Sequence, residues 1–211
     1  MPSSCPSPTQ PKKRLSSWKG MDVFYLEHFG IKVNDEGVWV PYYKRDNTLF
    51  RAKLFKHDGR SYWLGGQGKG QIPYGLEQLR KPTKVLVLTE GESDTLALRI
   101  AWPDTITAIG VPGASSWKPE WAVIAEGFER VYLSFDGDDA GEKLSEAVKV
   151  DLPDAKRLYL PRGSDTRAVL QQLGKRAYKA LIEAAEARTI FNRTIRAEGK
   201  VHELYEKRAA A

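Results

Sequence analysis

Cysteine is almost absent from this chain: one residue, Cys5, in 211. That excludes a disulfide within the chain and a cysteine-based zinc site. The three histidines, His28, His57 and His202, are scattered and form no ligand set. No apolar run approaches the ~18 residues that a membrane span needs. The opening stretch MPSSCPSPTQPKKRLSSWKG has no apolar core after its charges, so it does not read as a secretory signal. A reducing cytoplasm and no membrane partner are the expectation. The glycine-rich GGQGKG at 65–70 lacks the G-x-x-x-x-G-K-[ST] spacing of a P-loop, and no internal repeat is present.

The charge present is unevenly spread. Residues 1–81 hold 14 Lys/Arg and 7 Asp/Glu, a net of +7; the remaining 19 and 20 leave residues 82–211 at −1. A basic first part joined to a near-neutral second part suggests a polyanion-binding module. A solvated basic surface is the alternative that charge alone leaves open.

The hydrophobic pattern changes at about the same point. Residues 1–19 are rich in Pro, Ser and Lys and read as a disordered basic tail. Within 20–81, GMDVFYLEHFG suggests a short helix, and short strands follow with turns at Asp46-Asn47 and His57-Asp58-Gly59. This is a small α+β subdomain. From residue 82 strand and helix patterns alternate. VLVLT (85–89), ITAIG (106–110), VYLSF (131–135) and KRLYL (156–160) read as strands. DTLALRIAW (94–102), PEWAVIAEGF (119–128), DAGEKLSEAVKVDL (139–152) and DTRAVLQQLG (165–174) read as helices. Ser93 or Asp94 is placed to cap the first of these. Such alternation with short links predicts βαβ units. The fold class is α/β: a mostly parallel four-stranded sheet over 82–174, flanked by helices, with a helical tail at 175–211.

In open α/β sheets, sites form beyond the carboxyl ends of strands. The first strand is followed by Glu90-Gly91-Glu92-Ser93-Asp94, the third by Asp136-Gly137-Asp138-Asp139-Ala140-Gly141. Clustered carboxylates repel unless a cation neutralises them. Hard oxygen ligands with room for water suit Mg²⁺ or Mn²⁺. Capping of helix N-termini explains Asp94 and Asp139 equally well. From spacing alone, metal binding and capping both remain open.

EGESD followed by FDGDDAG (135–141) resembles the Toprim domain, shared by bacterial primases, type IA and II topoisomerases and some nucleases. GVPGASS (110–116) is similar to the glycine-containing turn after that family's second strand, and LPRGSD (160–165) to a late acidic motif in primases. The resemblance covers 82–174. It implies a compact parallel sheet with helices on both sides and Mg²⁺ bound by acidic residues. Glu90 matches the family's glutamate, Asp136 and Asp138 match its metal pair, and Asp94 and Asp165 are additional acidic positions. Primases commonly have a further acid two residues after the position of Asp165; here that residue is Arg167.

Residues 38–80 resemble the small basic subdomain that precedes Toprim in bacterial and phage primases, ending in the phrase Pro73-Tyr74-Gly75. The resemblance implies cations directed at nucleotide and template, for which Arg51, Lys53, Arg60 and Lys69 are the candidates. Tyr42, Tyr43, Tyr62 and Trp63 are candidates for base stacking or for core packing. The implied activity is that of a DNA primase catalytic core, making short RNA primers on single-stranded DNA from ribonucleoside triphosphates. Alternatives are a Toprim nuclease with Glu90 as base, or a non-catalytic nucleic-acid-binding accessory. No Cys-rich zinc module or helicase ATPase is present, as in a free-standing phage- or plasmid-like core or a piece of a longer primase–helicase. The tail after Gly174 is a candidate contact for a replicative helicase or a helix packed on the Toprim domain.

Overall fold

The computed structural model describes residues 17–65, 70–113 and 115–209, with side chains described as far as 191 and at 194. In chain order the elements are β1 (Ser17–Trp18), β2 (Met21–Asp22), α1 (Val23–His28), β3 (Lys32–Asn34), β4 (Gly37–Tyr43), β5 (Leu49–Phe55) and β6 (Ser61–Leu64). A 3-10 segment, Leu76–Arg80, precedes β7 (Val85–Glu90), α2 (Glu92–Ala101) and β8 (Thr107–Val111). A second, Pro119–Ala125, precedes β9 (Arg130–Ser134), α3 (Asp139–Asp151), β10 (Lys156–Arg157), α4 (Thr166–Gln172) and α5 (Gly174–Ala209). No helix among the described residues is long and apolar enough to cross a membrane. The chain divides into two compact units, 1–42 with 49–68 and 43–48 with 69–211.

The first unit is built on a sheet in the order β3-β4-β5-β6, antiparallel between β3 and β4 and between β5 and β6. Alternate residues of β4, Val38, Val40 and Tyr42, are fully buried, as period-two patterning requires. The turn at 44–48 closes by Lys44 N–H to Thr48 O at 2.9 Å, with Asn47 left-handed at φ 69° and Asp46 Oδ1 accepting from Thr48 N at 2.9 Å. This is the short polar turn chemistry expected of Asp46-Asn47. The second turn, at Gly59, is held by Asp58 Oδ1 accepting from Arg60 N at 3.0 Å.

The second unit contains the sheet β10-β9-β7-β8, with every pairing parallel. Its strands are apolar on both faces because both faces are covered. Leu86, Leu88, Ile109, Leu133 and Phe135 pack with Leu144 and Val148 of α3 and with Trp121 and Ile124. Val87, Ala108 and Tyr132 pack on the other side with Leu98 of α2, Val169 of α4 and Tyr178 of α5. Outside β8, Tyr74 and Gly110 exchange backbone hydrogen bonds of 2.8 and 2.9 Å, so the Pro73-Tyr74-Gly75 phrase closes that sheet edge. The α/β class and the four parallel strands expected from sequence are therefore present.

Three local expectations need correction. Residues 119–125 form a 3-10 segment, not an α-helix. Pro119 stands at its first position and Gly127, at φ 83°, lies just beyond its end. The fourth strand is only two residues long, with one further bond from Leu158 N to Leu133 O at 2.8 Å; Pro153 and Pro161 bracket it. Helix α2 is capped by Gly91 without a side-chain bond, not by Ser93 or Asp94.

Buried hydroxyls join the layers. Ser134 Oγ lies 2.6 Å from Thr166 Oγ1 and accepts from Tyr178 Oη at 2.8 Å, tying β9, α4 and α5 together. Closer to the strand ends, backbone approaches demand glycine. A Cβ on Gly141 would lie 2.2 Å from Asp136 O, and one on Gly137 would lie 2.2 Å from Pro161 O. Glycine to alanine within a helix ordinarily stabilises by about 0.5–1 kcal/mol. At Gly141 the sign is expected to reverse, with a loss of ~1–3 kcal/mol from the forced backbone shift. Urea unfolding of Gly141→Ala measures it; a midpoint equal to or above wild type would refute this packing.

Candidate active site

The five acidic positions singled out in the sequence come together at the carboxyl ends of the parallel strands. Thr89 of β7 stands opposite Ser134 of β9, so the chains leaving these strands carry Glu90 and Asp136 forward side by side. Each is then fixed by its own turn. Gly91 adopts φ 100°, and its carbonyl accepts from Thr95 Oγ1 at 2.7 Å, while Thr95 Oγ1 also meets Thr89 Oγ1 at 2.8 Å. A Cβ on Gly110 would strike this turn, 2.6 Å from Thr95 Oγ1. Asp138 caps α3, its Oδ1 accepting from Gly141 N at 2.9 Å. The Gly137 amide donates to Ser164 O, and the Gly163 amide donates to Gly137 O, both at 2.9 Å. The LPRGSD loop is thereby stitched onto the Asp136–Asp138 turn, bringing Asp165 to the same sheet end.

The acids differ in what satisfies them. Asp165 caps α4, Oδ1 accepting from Ala168 N, and Oδ2 accepts from the Arg167 guanidinium at 2.9 Å. Asp94 is 3% exposed, and its Oδ1 accepts from the Arg167 backbone N–H at 2.8 Å. By contrast, Glu90 Oε2 and Asp136 Oδ1 are buried and have no hydrogen-bond partner among the described residues. Burial, then the charges of Glu90, Asp94, Asp165 and Asp138, push the Asp136 carboxyl up to about 7. Burial, then the charge of Asp138, also raises Glu90; the Asp136 backbone amide directed at it opposes the rise.

Buried carboxylate oxygens without donors, in a field of like charge, are suited to a divalent cation. Among the described residues no three Asp, Glu, His or Cys side chains are placed as a ready-formed metal-ion group. An ion at Glu90, Asp136 and Asp138 would complete its shell with water or substrate oxygens, as Mg²⁺ habitually does.

The cationic candidates belong to other segments. Arg51 on β5 is 8% exposed, with its guanidinium 3.8 Å from the Trp63 ring centroid. Lys53, two residues on, lies 4.8 Å from the Phe55 ring and 5.6 Å from Trp63. Arg60 is exposed and paired with Asp58, which the Arg60 hydrogen bonds pull down to about 2. Lys69 lies outside the described residues. Among the aromatics, Tyr42 is buried against Trp63 at 4.8 Å, and Tyr62 is exposed. Sequence reasoning missed the partners of Arg167, a residue visible there only as a cation in an acidic setting. It also missed the Thr89–Thr95 pair, whose six-residue spacing across a turn carries no periodic signal.

No family model matches the sequence. The chain is 29% identical over 139 residues to the gene 57 protein of Mycobacterium phage D29, covering 66% of this chain and 89% of that protein. It is 30% identical over 156 residues to the DNA primase of Chlamydia trachomatis, covering 65% of this chain but 25% of that enzyme. The primase fragment of the bacteriophage T7 primase-helicase protein superimposes with a TM-score of 0.66 at 21% identity, covering 84% of this chain and 83% of the fragment. The chain thus resembles DNA primases in sequence, and its fold is that of a primase catalytic core. It spans about a quarter of the length of that curated bacterial primase.

The raised Asp136 carboxyl gives a pH signature. Its ordinary value is 3.8 and its folded value about 7, so the folded state holds the extra proton between these limits. The stability this confers is full below pH 3.8 and is lost as pH rises toward 7. In chelator, the melting temperature of wild type relative to Asp136→Asn should fall between pH 5 and pH 8. Added Mg²⁺ at pH 8 should restore it for wild type only. A wild-type-minus-variant difference that is flat with pH, or insensitive to Mg²⁺, would contradict the assignment.

Proposed function

We propose that this chain is the catalytic core of a DNA primase, joining ribonucleotides on a single-stranded DNA template by Mg²⁺-dependent nucleotidyl transfer. The observation carrying the proposal is the pair of orphaned buried oxygens, Glu90 Oε2 and Asp136 Oδ1, at the strand ends of a primase-type fold.

In this reading Glu90, Asp136 and Asp138 hold the ion, with Asp94 and Asp165 beside them. A bound Mg²⁺ or Mn²⁺ supplies charge neutralisation and polarises phosphate oxygens. The chain's own residues set the geometry. Asp138 is immobilised by its cap to Gly141, and Asp136 is held between the Gly137 and Gly141 approaches. Arg51 and Lys53, on one face of β5, offer cations ordered by stacking on Trp63, suited to the triphosphate or the template backbone. Arg60 and Lys69 complete the proposed nucleic-acid-binding set, Arg60 after exchanging Asp58 for a phosphate. The helical segment beginning at Gly174 is the proposed contact for a helicase; the similar phage fragment comes from a protein named as a primase-helicase.

The test is incubation with single-stranded DNA, labelled ribonucleotides and Mg²⁺ or Mn²⁺. Short RNA products are expected. Shortened DNA with no RNA would mean a nuclease, and neither product would mean a non-catalytic binding module. Glu90→Gln should abolish synthesis. Arg51→Ala or Lys53→Ala should lower it about ten- to a hundredfold, the loss of one charge-assisted contact of ~1.5–3 kcal/mol. Metal-induced stabilisation should persist in both. Unchanged synthesis in both cation variants would remove β5 from the proposed substrate site.

A further inference from the structure

We propose that Arg167 is a built-in counter-ion that withdraws Asp165 from the ion-binding set, leaving Glu90, Asp136 and Asp138 to hold a single divalent ion. The inference rests on the metal reading given above and deepens it.

Both oxygens of Asp165 are engaged, one by the Ala168 amide at the head of α4 and one by the Arg167 guanidinium at 2.9 Å. The pair is shielded, with side chains 22% and 26% exposed. Arg167 is itself held at two further points. Its backbone amide donates to Asp94 Oδ1 at 2.8 Å, and Nη1 donates to Gln171 Oε1 at 3.0 Å, one helical turn on. This residue therefore neutralises Asp165 through its side chain and supplies one donor to Asp94 through its main chain.

A guanidinium does not lose its charge in proteins, so the neutralisation is permanent. A divalent ion placed on Asp165 would have to displace a charge-assisted hydrogen bond and then sit beside the cation it displaced. Glu90 Oε2 and Asp136 Oδ1 present no such obstacle, having no donor to give up. Asp138 spends Oδ1 on the α3 cap, leaving Oδ2 to face the ion. The acidic site thus divides into a part already neutralised by protein and a part that needs metal.

The measurement is Mn²⁺ titration of the full chain, followed by paramagnetic resonance and calorimetry, with circular dichroism to establish folding. Wild type is expected to bind one ion. Asp165→Asn, which keeps the capping geometry, should bind one ion with affinity within about threefold of wild type, whereas Asp136→Asn should lose at least ~tenfold. Arg167→Asp should gain a second, weaker ion. Two ions in wild type with one lost in Asp165→Asn would overturn the inference while leaving the metal reading intact. So would a folded Arg167→Asp that still binds one ion. No ion bound by wild type would overturn both. Should Arg167→Asp fail to fold, Asp165→Asn decides alone: a loss matching that of Asp136→Asn overturns the role given to Arg167, and retained affinity supports it.

Discussion

Mutual repulsion among carboxylates at the ends of β7 and β9 is the constraint around which the second unit is organised. Glu90 and Asp136 are brought together by strand pairing, and one carboxylate oxygen of each is buried. Neither is given a donor for one of its oxygens. Such an arrangement costs folding free energy and persists only where the surroundings over-determine it. Here they do. Apolar packing on both faces of the sheet fixes the strands, and the Ser134–Thr166–Tyr178 hydroxyls lock α4 and α5 onto β9. Contacts that tolerate no side chain at Gly137 and Gly141 hold the acidic turn.

The electrostatic burden is shared unevenly. Asp165 and Asp94 are answered by Arg167 and by main-chain amides, while Asp136 is left to retain a proton or take a cation. The result is a division in which some charges hold the loop geometry and others lack a protein partner. On β5, stacking serves a parallel purpose. Arg51 and Lys53 are ordered against aromatic rings, which would lower the entropy cost of the phosphate contact proposed for them.

The parallel sheet was legible because three of its strands are short continuous apolar runs, two of them ending at a glycine-bearing acidic turn. Glu90, Asp136 and Asp138 were legible as candidates for the same reason, since the position of a strand end can be read locally. Local pattern failed where a partner distant in sequence decides the outcome. The stacking of Arg51 on Trp63 depends on strand pairing between β5 and β6. The engagement of Asp94 by the Arg167 amide spans 73 residues. The 3-10 form of 119–125 and the brevity of β10 carry no signal in apolar periodicity. Asp94 and Asp139 do lie in the first turns of α2 and α3, but the caps themselves are Gly91, not Ser93 or Asp94, and Asp138.

The central claim is that a divalent ion belongs between the ends of β7 and β9. Substituting Fe²⁺ for Mg²⁺ and adding ascorbate and peroxide generates hydroxyl radicals at the bound ion, which cut the nearest backbone. The account predicts cleavage centred on Glu90 and on Asp136–Asp138, suppressed by excess Mg²⁺ and absent in Asp136→Asn. Cleavage elsewhere in the chain, or cleavage at these turns that survives in Asp136→Asn, would contradict it.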